Sequence, residues 1–72
     1  MTRHYELEKI RYYMYDEKVT PIESGSDLDV LIKKADKIKI HDGKSFEDKI
    51  RIAEIVNGDI THYPYIRKAR ER

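Results

Sequence analysis

The sequence predicts a small α+β fold, a two-layer sandwich in which one helix covers one face of an antiparallel sheet. Three observations carry this. The chain has 72 residues, enough for one domain and too few for a thick core. Leu28, Leu31, Ile32 and Ala35 recur at the i, i+3, i+4, i+7 spacing of a single helix face. The other apolar residues fall in short runs separated by turn signals such as Asp42–Gly43 and Asn57–Gly58. One apolar stripe and several strand-like runs are most simply buried by laying the helix on the sheet.

Residues 5–15 read YELEKIRYYMY. The aromatic cluster Tyr12, Tyr13, Tyr15 favours a strand from about Leu7, with Ile10, Tyr12 and Met14 on one face. Leu7, Ile10 and Met14 also fit a helical stripe, so the segment admits both readings. The chain is expected to turn at Asp16–Glu17–Lys18 and return as a strand from Val19 to Glu23. Pro21 cannot donate a ladder hydrogen bond, which puts that strand on an edge. Ser24–Gly25–Ser26 is a break, and Ser26 reads as the helix N-cap, with Asp27 and Asp29 near the positive end of the helix dipole.

Beyond the helix, Ile38 and Ile40 alternate with Lys37, Lys39 and His41, which predicts a third strand. Residues 45–56 can be read two ways. Ser45 with Glu47 and Asp48 resembles a helix start and Asn57–Gly58 a helix stop. Ile50 and Ile52 alternating with Lys49 and Arg51 read instead as a strand, with Asn57–Gly58 as its hairpin turn. The strand reading is preferred, followed by a strand from Ile60 to about Tyr65. The element order is then ββαβββ, in a domain spanning residues 1–66, with residues 67–72 a basic C-terminal tail. The alternative is two helices on a smaller sheet. The expected core is built on Leu7, Ile10, Tyr12, Met14, Leu28, Leu31, Ile32, Ile38, Ile40, Phe46, Ile50, Ile52, Val56 and Ile60. With so few large residues its margin is thin, and a homodimer would help it.

Composition narrows the function classes. Cysteine is absent, which excludes disulfides, thiolate zinc sites and a thiol nucleophile. No apolar run approaches the roughly 20 residues of a membrane span, and no signal-peptide pattern opens the chain, so a cytoplasmic setting without membrane contact is expected. Charged residues make up 40% of the chain, yet the net charge is only +1, from 15 basic and 14 acidic residues. A nucleic-acid-binding domain usually carries a clear basic excess. The charge is uneven along the chain. Residues 16–36 hold six acids against three lysines, while residues 59–72 hold Arg67, Lys68, Arg70 and Arg72 against Asp59 and Glu71.

Gly25–Ser26–Asp27–Leu28–Asp29–Val30–Leu31–Ile32 resembles the Ser-Asp-x-Asp segment of nucleotidyltransferases. That resemblance implies two carboxylates on one face of a strand, holding a divalent metal beside a triphosphate. It covers about eight residues. The family's upstream Gly-Ser element has no counterpart, since no glycine precedes Gly25. On a helix Asp27 and Asp29 would point about 200° apart, and a helix cap accounts for both. His4, His41 and His62 have no spacing that gathers three metal ligands. No glycine-rich phosphate loop or nucleophile elbow is present. No catalytic residue, metal or cofactor is therefore expected.

The tyrosines remain. Tyr13 and Tyr15 lie close to Arg11, and Tyr63 and Tyr65 just before Arg67. Tyrosine gives a large contact area at low entropy cost, which suits a protein interface. The expectation is a small non-catalytic regulatory or adaptor module that binds a partner protein through Arg11, Tyr13, Tyr15, Tyr63, Tyr65 and Arg67. Compact, charge-rich chains of this type are often encoded by phages or other mobile elements, an analogy at fold level only. Two alternatives stand beside it. One is a nucleic-acid-binding module using the same rings with Lys9, Arg11, Arg67, Lys68 and Arg70, disfavoured by the balanced charge. The other is a metal-dependent nucleotidyltransferase-like fragment built on Asp27 and Asp29.

Overall fold

The computed structural model describes residues 2–69. They form one antiparallel sheet of four strands, β1 (Arg3–Tyr13), β2 (Glu17–Gly25), β3 (Phe46–Val56) and β4 (Asp59–Lys68), with helix α1 (Leu28–Lys37) between β2 and β3. The order across the sheet is β2-β1-β3-β4. The predicted α+β architecture, a single helix on an antiparallel sheet, is therefore present. Among the described residues no helix is long and apolar enough to cross a membrane.

β1 and β3 pair in register along their whole length, from Arg3↔Val56 to Tyr13↔Phe46. Residues 46–56 are thus strand, and the two-helix alternative falls. Each central strand buries apolar side chains on both of its faces. On the helix side, Leu7, Ile50 and Ile52 close on Leu31 and Ala35, flanked by the half-buried Tyr5, Leu28, Ile32, Ile38, Ile40 and Tyr65. Ile10, Ala53 and Ile55 are buried on the other face. The hairpin β3–β4 turns at Asn57 (φ 53°) and Gly58 (φ 88°). A type I′ turn needs positive φ at both positions, and Asn-Gly is the pair that adopts it at least cost.

Three expectations are corrected. Residues 38–40 do not form a strand, so the order is ββαββ rather than ββαβββ. Ile38 and Ile40 do turn inward against the core, but their backbone runs over the sheet face, and the Ile38 carbonyl is taken by Arg67. An isolated bridge, Asp42↔Glu47, is all that remains of pairing there. The helix is capped by Asp27 instead of Ser26: Asp27 is extended, and its carboxylate accepts from the backbone N–H of Asp29 and Val30. Met14 and Ile60 lie outside the core, 82% and 55% exposed.

β2 and β4 are the sheet edges, and each carries one of the two prolines next to a register shift. Pro21 lies beside the shift at Leu7/Glu8, and Pro64 lies within the stretch shifted between Ile52 and Glu54. A proline and a bulge both blunt an open edge against further strand pairing.

Candidate functional site

The six tyrosine and arginine positions expected to share a surface are divided by the register. Tyr13 lies directly across from Phe46 at one end of the sheet. Tyr65 lies across from Ile52 on the helix face. Tyr63 lies on the opposite face, where its ring is 4.6 Å from the guanidinium of Arg51. No single patch gathers them.

Two of the six face inward on the helix side. The Tyr65 hydroxyl donates to Asp36 at 2.5 Å. Burial, followed by that carboxylate partner, raises the phenol above its ordinary value. Arg67 donates from Nη2 to the carbonyls of Ala35 and Ile38, each at 2.6 Å, and from Nε to the Tyr65 hydroxyl at 3.2 Å. These carbonyls close the C-terminal end of α1, where a cation also offsets the helix dipole. β4 thus runs to Lys68, past the start of the predicted tail; residues 70–72 of that tail lie outside the described residues.

Arg11 is likewise held from within. Its Nε and Nη2 donate to the two carboxylate oxygens of Asp48 at 2.7 and 3.1 Å. Asp48 is fully buried, and all of its polar groups are engaged. Its carboxylate also accepts from the His41 backbone N–H at 3.0 Å. Its own N–H donates to the His41 carbonyl, and its carbonyl accepts from Ala69. The hydrogen bonds from Arg11 hold the Asp48 carboxyl below the usual range, against burial, with the His41 amide helping. Those same bonds raise the Arg11 guanidinium further still. Above this pair, the Arg11 guanidinium stacks on the Phe46 ring, 4.2 Å from its centroid.

What stays open is the end of the sheet beyond Phe46. The β1–β2 turn is closed by the Tyr13 N–H on the Asp16 carbonyl at 2.7 Å. It projects Met14 and Tyr15, 82% and 93% exposed, beside Tyr13 at 44%. Tyr12, Tyr13, Met14, Gly43 and Phe46 line an open notch of about 250 Å³. Gly43 lies so close to the Phe46 ring that a Cβ there would come within 2.6 Å of it. Sequence reasoning missed Met14 as a surface group and Phe46, half-buried, as a wall of the notch. A signal for Met14 was available: an apolar residue between two tyrosines, directly before a charged turn, has no strand partner to cover it.

The remaining polar candidates do not converge. Asp27 and Asp29 sit at a helix start, so the strand alternation that paired carboxylates require is absent. Among the described residues no three His, Asp or Glu side chains come together as metal ligands would. His62 and Thr61 contact Glu54, and His4 contacts Glu6, as separate surface pairs. No protein-family model, curated protein or solved structure matches the chain.

Proposed function

We propose that this protein is a small non-catalytic regulatory or adaptor module of the cytoplasm, which binds a partner protein at the Tyr13–Met14–Tyr15 tip and the notch beside it. One observation carries the reading: three consecutive large side chains stand in solvent on a turn closed by the backbone hydrogen bond from Tyr13 to Asp16. They add nothing to the core, and contiguous exposed apolar groups of this kind mark interaction sites. The mechanism is capture by burial. The partner seats an apolar side chain in the notch against Phe46, and the Tyr15 ring folds over it, supplying the central desolvated contact that dominates interface energy. Asp42, Lys44 and Glu47 form a charged rim that sets register.

A protein partner is favoured over nucleic acid because the two arginines expected to serve a nucleic acid are already occupied. Arg11 is held by Asp48, and Arg67 by the helix carbonyls. The Tyr12 and Tyr63 rings are approached by Lys49 and Arg51, which compete with a stacking base.

The test compares the wild-type chain with a Met14→Ser/Tyr15→Ala variant as affinity baits in lysate of the native host. The reading requires a partner retained by wild type and lost by the variant, with unchanged circular dichroism. Equal capture by both overturns it. So does salt-sensitive retardation of single-stranded DNA or RNA by wild type.

A further inference from the structure

α1 and the segment after it cover only one face of the sheet. On the uncovered face Ile10, Ala53 and Ile55 are buried among their neighbours, while Val19 on β2 and Ile66 on β4 remain 44% and 49% exposed. The register determines which charges share this face. On β2 and β1 they are Glu17, Glu8 and Glu6; on β3 and β4 they are Lys49, Arg51 and Lys68, with Glu47 at the end of β3 the exception. The face is acidic along one long half and basic along the other.

Sheets stacked face to face keep their strands within about 30° of each other. That leaves two ways to place a second copy by a two-fold axis between the sheets. An axis running across the strands puts β2 on β2, acid on acid. An axis running along the strands puts β2 over β4 and β1 over β3, acid on base, with each contact made twice. In the second arrangement Val19 of each copy lies over Lys68 of the other and Glu8 over Arg51, with Glu17 one pleat further along β2, diagonal to Lys68. We propose that the protein forms this face-to-face dimer.

Size agrees with it. Central strands of 11 residues at about 3.3 Å each, in four strands about 4.8 Å apart, give a face of roughly 700 Å². A standard interface buries about 800 Å² per partner. The prolines on both edges oppose the competing edge-to-edge assembly. Glu8 and Arg51 are already paired within one chain, so stacking strands no unpaired charge there. An axis along the strands also keeps strand direction, so both β1–β2 tips project from the same end of the dimer. The pair is then bivalent, a consequence that rests on the binding surface proposed above; the dimer itself does not.

The experiment is sedimentation equilibrium from micromolar to millimolar protein on wild type, Lys68→Glu, Glu17→Lys and the double variant, each confirmed folded by circular dichroism. Wild type should approach twice its 8.6 kDa monomer mass. Either single charge reversal should weaken dimerisation by about tenfold, and the double exchange should restore it. A monomer at every concentration overturns the proposal. So does a dimer that both single reversals leave unchanged, or one the double variant fails to recover. Loss of partner capture by Met14→Ser/Tyr15→Ala with the dimer intact bears on the notch alone.

Discussion

The guanidinium of Arg11 and the carboxylate of Asp48 meet through two hydrogen bonds, 2.7 and 3.1 Å long, on neighbouring strands at directly paired positions. Arg11 keeps 31% of its side chain in solvent, and Asp48 keeps none. The asymmetry decides what each substitution does. Asp48→Ala frees a guanidinium that water can still reach, but it also releases the His41 amide. Loss of these charged hydrogen bonds should cost about 2–3 kcal/mol of unfolding free energy. Arg11→Ala strands a buried anion and should be the more damaging of the two. Urea denaturation of both variants checks the order; an Asp48→Ala variant less stable than Arg11→Ala would contradict it.

The same pair sets the acid sensitivity of the fold. Asp48 is more acidic when folded, because Arg11 and the His41 amide bond its charged form in spite of burial. Glu54 is shifted the same way by the Thr61 hydroxyl, with burial opposing and His62 assisting. A carboxyl lowered on folding contributes its full stabilisation above its unfolded value, and that is lost as pH falls through the folded one. Stability should therefore hold near neutrality and decline from about pH 4 downward. Urea midpoints measured across that range should show a shallower decline for Asp48→Asn than for wild type. An unchanged slope would assign the acid limb to other groups.

How far the sequence could be read depended on which distances it encodes. The helix stripe and the Asn57–Gly58 turn are local patterns, and both appear where the residues put them. β1 was ambiguous for a physical reason. Leu7 and Ile10 are three apart, so in a strand they face opposite sides, and both sides of this strand are buried. Period-2 alternation disappears when neither face is left polar. Ile50 and Ile52 against Ala53 and Ile55 repeat the effect in β3. The site was less legible still. Tyr65 and Arg67 look like surface groups until the end of α1 is known to lie over them, which is a tertiary fact. Asp48 looks solvated until the register sets it beside Arg11.

Tyr65 and Arg67 also separate stability from binding. Tyr65→Phe removes the donor to Asp36 and the oxygen that accepts from Arg67 Nε, while leaving the ring packed. It should lower stability by about 1 kcal/mol and leave partner capture unchanged. Tyr15→Ala should do the reverse, since its side chain is 93% exposed. Thermal melts run alongside a binding assay resolve the two. A stable Tyr65→Phe protein that no longer binds would move the interface to the helix side.

Gly43 offers the most local test of the notch. Its N–H donates to the Phe46 carbonyl at 2.9 Å, which closes the short loop before β3. A methyl group at this position would lie 2.6 Å from Cε1 and 3.0 Å from Cδ1 of Phe46, closer than a carbon contact allows. The backbone there is held by the loop, so the ring must shift from its place above Arg11. Gly43→Ala should therefore reshape the notch from beneath while the tip residues stay in place. The expected result is weakened partner binding with only a modest loss of stability. Nuclear magnetic resonance should show shifts concentrated on Phe46, Tyr13 and the Arg11 side-chain Nε–H, with the Ile50 and Ile52 methyl signals unmoved. Binding equal to wild type, with those ring shifts present, would show that the partner contacts the tip without entering the notch.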